Sequence, residues 1–335
     1  MKQKFIMCNL VFGQLYPDLW LENQLKSLCD PTNLPALKAK YDLEYVILTD
    51  EETLQHITRH PNFMRLTQCC TVPVIKLTWP ADSDRFGSRY RMLVQMLHQI
   101  LPEAIEKGAW LGCWVADLVF AQHSIPKMLA RLEAGHDAVF NVPIRSAADS
   151  VNPLLHKLPG APSDLELFEM AYHNLHHLWV ASHWDAPLFS KFPYSMLWNS
   201  GTGLVTHHFG ITPIVFKPTE AMKAVQGGID SDMPAFFTNP FWAEDWMDAA
   251  VAGVEPLSNG HYPPFLQHQA TPEWVAEWAK RATHPKQKEY LNRELYYPSQ
   301  RTFNNTELAM QAAKTAKQIQ GLMGETCGLN TALPG

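Results

Sequence analysis

The stretch "WLGCWVADLVFA", residues 110–121, is an apolar run of strand-forming residues broken by one acid, Asp117. Continuous apolar runs of this length belong to strands buried on both faces, as in parallel sheets. An ionised carboxylate at the end of such a strand is costly unless something pairs with it. Two readings follow. Asp117 caps the next helix, or it faces an ion or a sugar at the mouth of a sheet.

Outward from this run the chain alternates. Upstream, "KFIMCNLVFG" is a strand ending at Gly13, and "LEYVILTD" is a second, with Thr49 and Asp50 at its carboxyl end. "VPVIKLTW" is a third strand. Between them, "YPDLWLENQLKSLCDP" carries a helical face of Leu19, Trp20, Asn23, Leu25 and Leu28. "LPALKAKY" reads as a short helix, and "DEETLQHITRHP" as a helix capped by Thr49 or Asp50. A long amphipathic helix, "SRYRMLVQMLHQILPEAIEKG", leads into the central run, with a kink expected at Pro102. "SIPKMLARLEAGH" follows as a helix with Pro126 in its first turn and Gly135 past its end. "DAVFNVPI" is a further strand. Repeated strand and helix alternation over residues 1–145 predicts an α/β fold with a mostly parallel sheet flanked by helices.

Further on, "SDLELFEMAYHNLHHLWVASH" reads as a helix capped by Ser163 or Asp164. "NSGTGLVTHHFGITPIVFKP" reads as two short strands around a turn. "TPEWVAEWAKRAT" and "NTELAMQAAKTAKQIQGLM" are amphipathic helices in an otherwise irregular C-terminal part.

The chain has 335 residues, 46% of them hydrophobic, enough for a large core. A formal net charge of −6 and a pI near 6.2 disfavour a nucleic-acid partner, which calls for a basic face. No window reaches the roughly 18 uninterrupted apolar residues of an integral membrane segment. The first residues lack a cleavage site, so they read as a strand rather than a signal peptide. The 6 cysteines form no CxxC pair, and with no export signal they read as reduced thiols in a cytoplasmic protein.

Several chemistries lack their motifs. There is no GxGxxG for a dinucleotide, no GxxxxGK[ST] for a P-loop, and no GxSxG for an α/β hydrolase. Open parallel sheets bind ligands outside the carboxyl ends of their strands. Here those ends carry Asn9, Thr49 with Asp50, and Asp117.

"YVILTD", the "RYRML" helix, the block "GAWLGCWVADLVFAQHSIPKMLARLEAGHDAVF" and the later "HHFGITPIVFKP" together resemble a glycosyltransferase of the GT-A type over residues 1–220. The resemblance implies a nucleotide-sugar-binding and catalytic domain at 1–220, with a helical acceptor-side extension at 221–335. It implies transfer of a hexosyl or related glycosyl unit from a nucleotide-sugar donor to a carbohydrate or surface-polymer acceptor, as in polysaccharide biosynthesis. The protein would be cytoplasmic, with peripheral membrane association open. The family's acidic metal motif, usually D-x-D, is incomplete: Val115 and Val119 flank Asp117 where a second acid would stand. One carboxylate with a diphosphate and a late histidine, His208 rather than His207, would hold Mn2+ or Mg2+ weakly. Otherwise a basic side chain such as Arg89 or Arg91 meets the leaving phosphate. Asn9, Thr49, Asp50, Arg91 and Asp117 are the expected donor contacts. "AED" at 243–245 resembles the family's base motif and makes Glu244 and Asp245 candidates for deprotonating the acceptor. Their alternative role is as first-turn acids on a helix dipole. "DSD" at 230–232 is a solvated turn or a ligand pair. His173 and His177, four apart on the expected helix, have the spacing of a zinc pair without a third ligand.

Two rivals stay open. A sugar nucleotidyltransferase would use a similar sheet, but "NLVFGQLYPDLW" lacks its glycine- and lysine-rich loop. A non-catalytic carbohydrate-binding or assembly protein would explain the incomplete acid pair. The enzymatic reading needs Asp117 at the rim of a wound parallel sheet, not sealed behind packed side chains.

Overall fold

The computed structural model describes residues 2–13, 15–77, 85–141, 143–176, 179, 195–199, 204–208, 214–224, 236–242 and 250–255; for 85–94, 195–199, 204–208, 214 and 242 only the backbone is described. The strands are β1 (Gln3–Leu10), β2 (Tyr41–Thr49), β3 (Val74–Lys76), β4 (Trp110–Val115), β5 (Leu118–Phe120), β6 (Ala138–Phe140), β7 (Ile144–Ala147), β8 (Ser195–Asn199), β9 (Leu204–His208), β10 (Ile214–Phe216), β11 (Pro240–Trp242) and β12 (Val251–Glu255). The helices are α1 (Tyr16–Leu19), α2 (Lys26–Leu28), α3 (Leu34–Leu37), α4 (Glu51–Ile57), α5 (Pro61–Cys69), α6 (Arg85–Glu106), α7 (Ser124–Glu133), α8 (Ala148–Leu155) and α9 (Asp164–His173). A π-helical segment, Trp20–Leu25, joins α1 to α2.

The architecture is the expected α/β one. Among the described residues, a 7-stranded sheet runs in the order β11-β6-β10-β4-β1-β2-β3. Strands β1, β2, β3 and β4 are parallel, as are β6 and β11, while β10 runs antiparallel between β4 and β6. The strand order turns at the β1–β4 pair. A 3-stranded sheet, β5-β12-β7, and a 2-stranded one, β8-β9, complete the set. Strands β11 and β12, past residue 220, pair with β6, β5 and β7 and so belong to these sheets.

Period-two burial explains why β1 reads as a continuous apolar run. Phe5 and Met7 pack into the core on one face of the sheet, with Trp20, Leu25, Tyr45 and Trp114. Ile6, Cys8 and Leu10 pack on the other face, against α6 through Met96, Leu97, Ile100 and Leu101. Cys8 and Cys113 meet in register on β1 and β4 as buried free thiols. Gly112 makes room within β4: a β-carbon there would lie 2.7 Å from the Trp114 ring. A third core, under the small sheet, joins Val119, Ile144, Val151, Leu167, Trp179 and Val254.

Two local expectations are corrected. The helix expected over "DEETLQHITRHP" ends at Ile57, and Pro61 opens a second helix, α5, where a missing N–H costs nothing. Helix α9 stops at His173, because Leu175 bridges to Ser146 of β7 and the His176 N–H donates to the Arg145 carbonyl (2.9 Å). The helical spacing that would pair His173 with His177 therefore ends at its first member, and His177 lies outside the described residues. Pro102 lies inside helix α6, which runs to Glu106. The helices expected at "TPEWVAEWAKRAT" and "NTELAMQAAKTAKQIQGLM" lie outside the described residues.

Candidate functional site

The carboxyl ends of β1 and β4 meet where the strand order turns, which is where open α/β sheets bind ligands. Asp117 sits two residues beyond β4, at the start of β5. It is not the cap of the next helix. Helix α7 begins at Ser124, and His123 occupies the capping position with a left-handed φ of 62°.

Asp117 instead belongs to a charged cluster on the small sheet. Its Oδ2 accepts from Arg145 Nη1 at 3.2 Å. The same nitrogen donates to Glu255 Oε1. Arg145 on β7 is in register with Gly253 on β12, and Glu255 is two residues further along the same face. A β-carbon at position 253 would lie 3.2 Å from Arg145 Cγ and 3.4 Å from its Nη1. The bare glycine thus lets the arginine lie flat across β12 to reach both acids. His176, fully buried, places Nδ1 4.0 Å from Glu255 Oε2.

The Asp117 side chain is 5% exposed and that of Glu255 8%, against 21% for Arg145. Burial pushes the Asp117 carboxyl up to about 6; Arg145 pulls it down and Glu255 pushes it further up. Among the described residues, Asp117 Oδ1 is buried with no hydrogen-bond partner. Buried carboxylate oxygens are ordinarily satisfied, so this one is an exception. Asp117 is therefore at the rim by position but buried, against the expectation of an open carboxylate.

The other expected contacts fall elsewhere. Asn9 is fully buried within a neutral network. Its Nδ2 donates to Gln24 Oε1 and to the Tyr45 hydroxyl (3.0 Å). Trp20 Nε1 and Trp114 Nε1 converge on the same hydroxyl at 3.2 and 3.3 Å. Gln24 Nε2 in turn donates to the Val115 carbonyl at 2.7 Å. The π-helical segment supplies Trp20 and Gln24, and five of its six residues are buried, more than one α-helical face presents. Thr49 is fully buried, and its carbonyl accepts from Leu77 N. Asp50 caps α4, its Oδ1 accepting from Thr53 N at 2.7 Å. Arg91 lies on α6 and His208 ends β9; their side chains, with Glu244, Asp245, Asp230 and Asp232, lie outside the described residues.

Arg145 and Glu255 escaped the sequence reading, as did the place of His176 beside Glu255. The signal for Glu255 was present: "VAGVE" is an apolar strand ending in one acid, the pattern that drew attention to Asp117. A divalent ion, implied by the resemblance, does not fit the described donors. Both buried carboxylates already share a guanidinium, and among the described residues no three His, Cys, Asp or Glu side chains converge to hold a metal. Among the described residues no helix is long and apolar enough to cross a membrane.

No family model and no curated protein matches the sequence. Solved structures do show similarity. Mouse xyloside xylosyltransferase 1, in its apo form, aligns at 11% identity and TM-score 0.29 over 47% of this chain, which spans 59% of that enzyme's length. The mannosyltransferase PcManGT of Pyrobaculum calidifontis, in complex with GDP-Man and Mn2+, aligns at 12% identity and TM-score 0.39 over 98% of this chain and 85% of its own. The 4-diphosphocytidyl-2C-methyl-D-erythritol synthase of Anaerococcus prevotii aligns at 11% identity and TM-score 0.27, over 43% of this chain and 56% of its own.

Proposed function

We propose that this chain transfers a hexosyl or related glycosyl unit from a nucleotide-sugar donor to a carbohydrate or surface-polymer acceptor. The observation that carries the reading is the Asp117 carboxylate. It lies just past β4, where the strand order turns, with one oxygen on Arg145 and the other without a partner among the described residues. A donor's ribose or sugar hydroxyl supplies the missing hydrogen bond. Asp50 caps α4 through one oxygen and offers the other toward the nucleotide, with Arg91 assigned to its phosphates. Asn9 and Thr49, both fully buried, shape the strand ends rather than touch the ligand. Glu244 or Asp245 deprotonates the acceptor, and the part of the chain after residue 220, apart from β11 and β12, forms the acceptor side. The rate gain comes from holding donor and acceptor in line and stabilising the departing diphosphate. The protein works in the cytoplasm, peripheral to a membrane where the acceptor is a surface polymer.

Thermal unfolding with UDP-, GDP- and CMP-sugars tests this. One donor class raises the melting midpoint by mass action, and Asp117→Asn abolishes both that shift and slow donor hydrolysis. If no donor stabilises the protein, the reading fails. A second reading has its own observation. Asp117 is paired with Arg145 and its side chain is only 5% exposed, as suits a non-catalytic carbohydrate-binding or assembly protein. Stabilisation by a sugar with no donor turnover selects that alternative.

A further inference from the structure

The residues that cover Asp117 bear on which cation the site uses. Asp117 and Glu255 come from opposite ends of sequence-distant strands, and both reach the same Arg145 nitrogen. Three features fix that arginine. Its backbone is in register with Gly253, which leaves the path across β12 open. Its carbonyl accepts from His176 N, and its head is gripped by the two acids. A divalent cation needs several oxygen ligands and keeps some of its waters. Here the two buried carboxylates already share one cation, and a second positive charge beside the guanidinium is repelled.

We propose that Arg145 is the resident cation of this site, standing between Asp117 and Glu255 where a divalent ion would otherwise bind, so that phosphate-bearing ligands are met by the guanidinium without a metal. The second acid absent from positions 115 and 119 is then supplied by Glu255 from β12, and the pair is balanced from within the chain. Planar guanidinium heads bind phosphate oxygens through paired N–H groups, so Arg145 has the chemistry for that contact. The ligand in this inference rests on the nucleotide-sugar reading; the identity of the cation does not.

Mn2+ titration of the full chain, followed by electron paramagnetic resonance, separates the two. The wild-type protein binds no Mn2+ at this site. Arg145→Met leaves two adjacent carboxylates and gains Mn2+ affinity by at least about tenfold, the scale set by contact repulsion between a single and a double charge even in water. The added substitution Asp117→Asn removes that gain. Arg145→Lys keeps the charge and stays without Mn2+. In parallel, thermal stabilisation by UDP or GDP is unchanged by EDTA or by added Mn2+. Stoichiometric Mn2+ binding by the wild type that Asp117→Asn abolishes overturns the inference, as does a folded Arg145→Met that gains none. If Arg145→Met does not fold, uptake of Mn2+ by Arg145→Lys overturns it equally. If neither nucleoside diphosphate stabilises the protein, the donor reading fails while the metal titrations still decide the cation.

Discussion

Two buried polar clusters flank one short turn, and they are built from opposite materials. At Val115 the carbonyl is held by Gln24, part of a neutral network centred on the Tyr45 hydroxyl. Two residues later, Asp117 enters a network of full charges centred on Arg145. The neutral cluster lies under the main sheet among aromatic rings and fixes where β4 ends. The charged cluster lies on the small sheet, where a fifth of the Arg145 side chain reaches solvent. A neutral network keeps its hydrogen bonds at any ordinary pH. A charged one responds to protons and to ligands. The division suggests that one cluster builds the mouth of the sheet and the other works in it.

The largest test of that contrast removes the central cation. Arg145→Met leaves two buried carboxylates uncompensated and lowers the unfolding free energy by about 3–5 kcal/mol at neutral pH, read by urea denaturation. The loss shrinks at pH 5, where Asp117 takes up a proton. A loss that is the same at both pH values would show that the arginine acts by packing alone.

The next effect is the pH response itself. Asp117 titrates near 6 in the folded chain, above its ordinary 3.8, because burial disfavours its charge. The folded state therefore holds this proton more tightly than the unfolded one. The associated stability is fully present below about pH 4 and is lost as pH rises through about 6, by up to about 3 kcal/mol. Subtracting the profile of Asp117→Asn isolates this slope. A flat difference between pH 4 and 7 would remove the charged cluster's distinction from the neutral one.

Tyr45→Phe probes the other side. It strips the acceptor from two indole N–H groups and one contact from Asn9, at a cost of about 1–3 kcal/mol. That cost is equal at pH 5 and pH 8 by chemical denaturation. A pH-dependent cost would mean that the two clusters are coupled through the Val115–Asp117 turn.

Asp50 gives the smallest effect, outside both clusters. Asp50→Ala loses about 1 kcal/mol by removing the α4 cap, whereas Asp50→Ser keeps the cap and stays within a few tenths. If Asp50→Ser weakens stabilisation by a nucleotide-sugar as strongly as Asp50→Ala does, the carboxylate has a ligand role beyond capping. If donor binding is unchanged, Asp50 is a cap.

Much of the fold was legible in local chemistry. β1, β2 and β4 stand out because both their faces are buried over most of their length, which makes most of their residues apolar. α7 announces itself through Pro126 near its start and Gly135, at φ 107°, past its end. Other elements were hidden by competing signals. Pro61 has two meanings, helix end and helix start, and only the packing of Phe63 and Leu66 into the core selects the second. The segment after His173 keeps a helical pattern, yet its backbone pairs with β7 because that strand's edge offers partners.

The candidate site divides in the same way. The sequence by itself determined that an α/β sheet would form and that Asp117 would stand at the end of a buried strand, because side-chain periodicity and the cost of burying charge are local properties. It also carried the Asp50 cap, an interaction that spans three residues. Only the tertiary structure decided what Asp117 faces. Arg145 and Glu255 lie 28 and 110 residues apart from their partners in the chain, Asp117 and Arg145. They meet because strand pairing places β5, β12 and β7 side by side, with a glycine clearing the path. No local pattern encodes that register; it follows from which strands find each other when the sheet closes its cores.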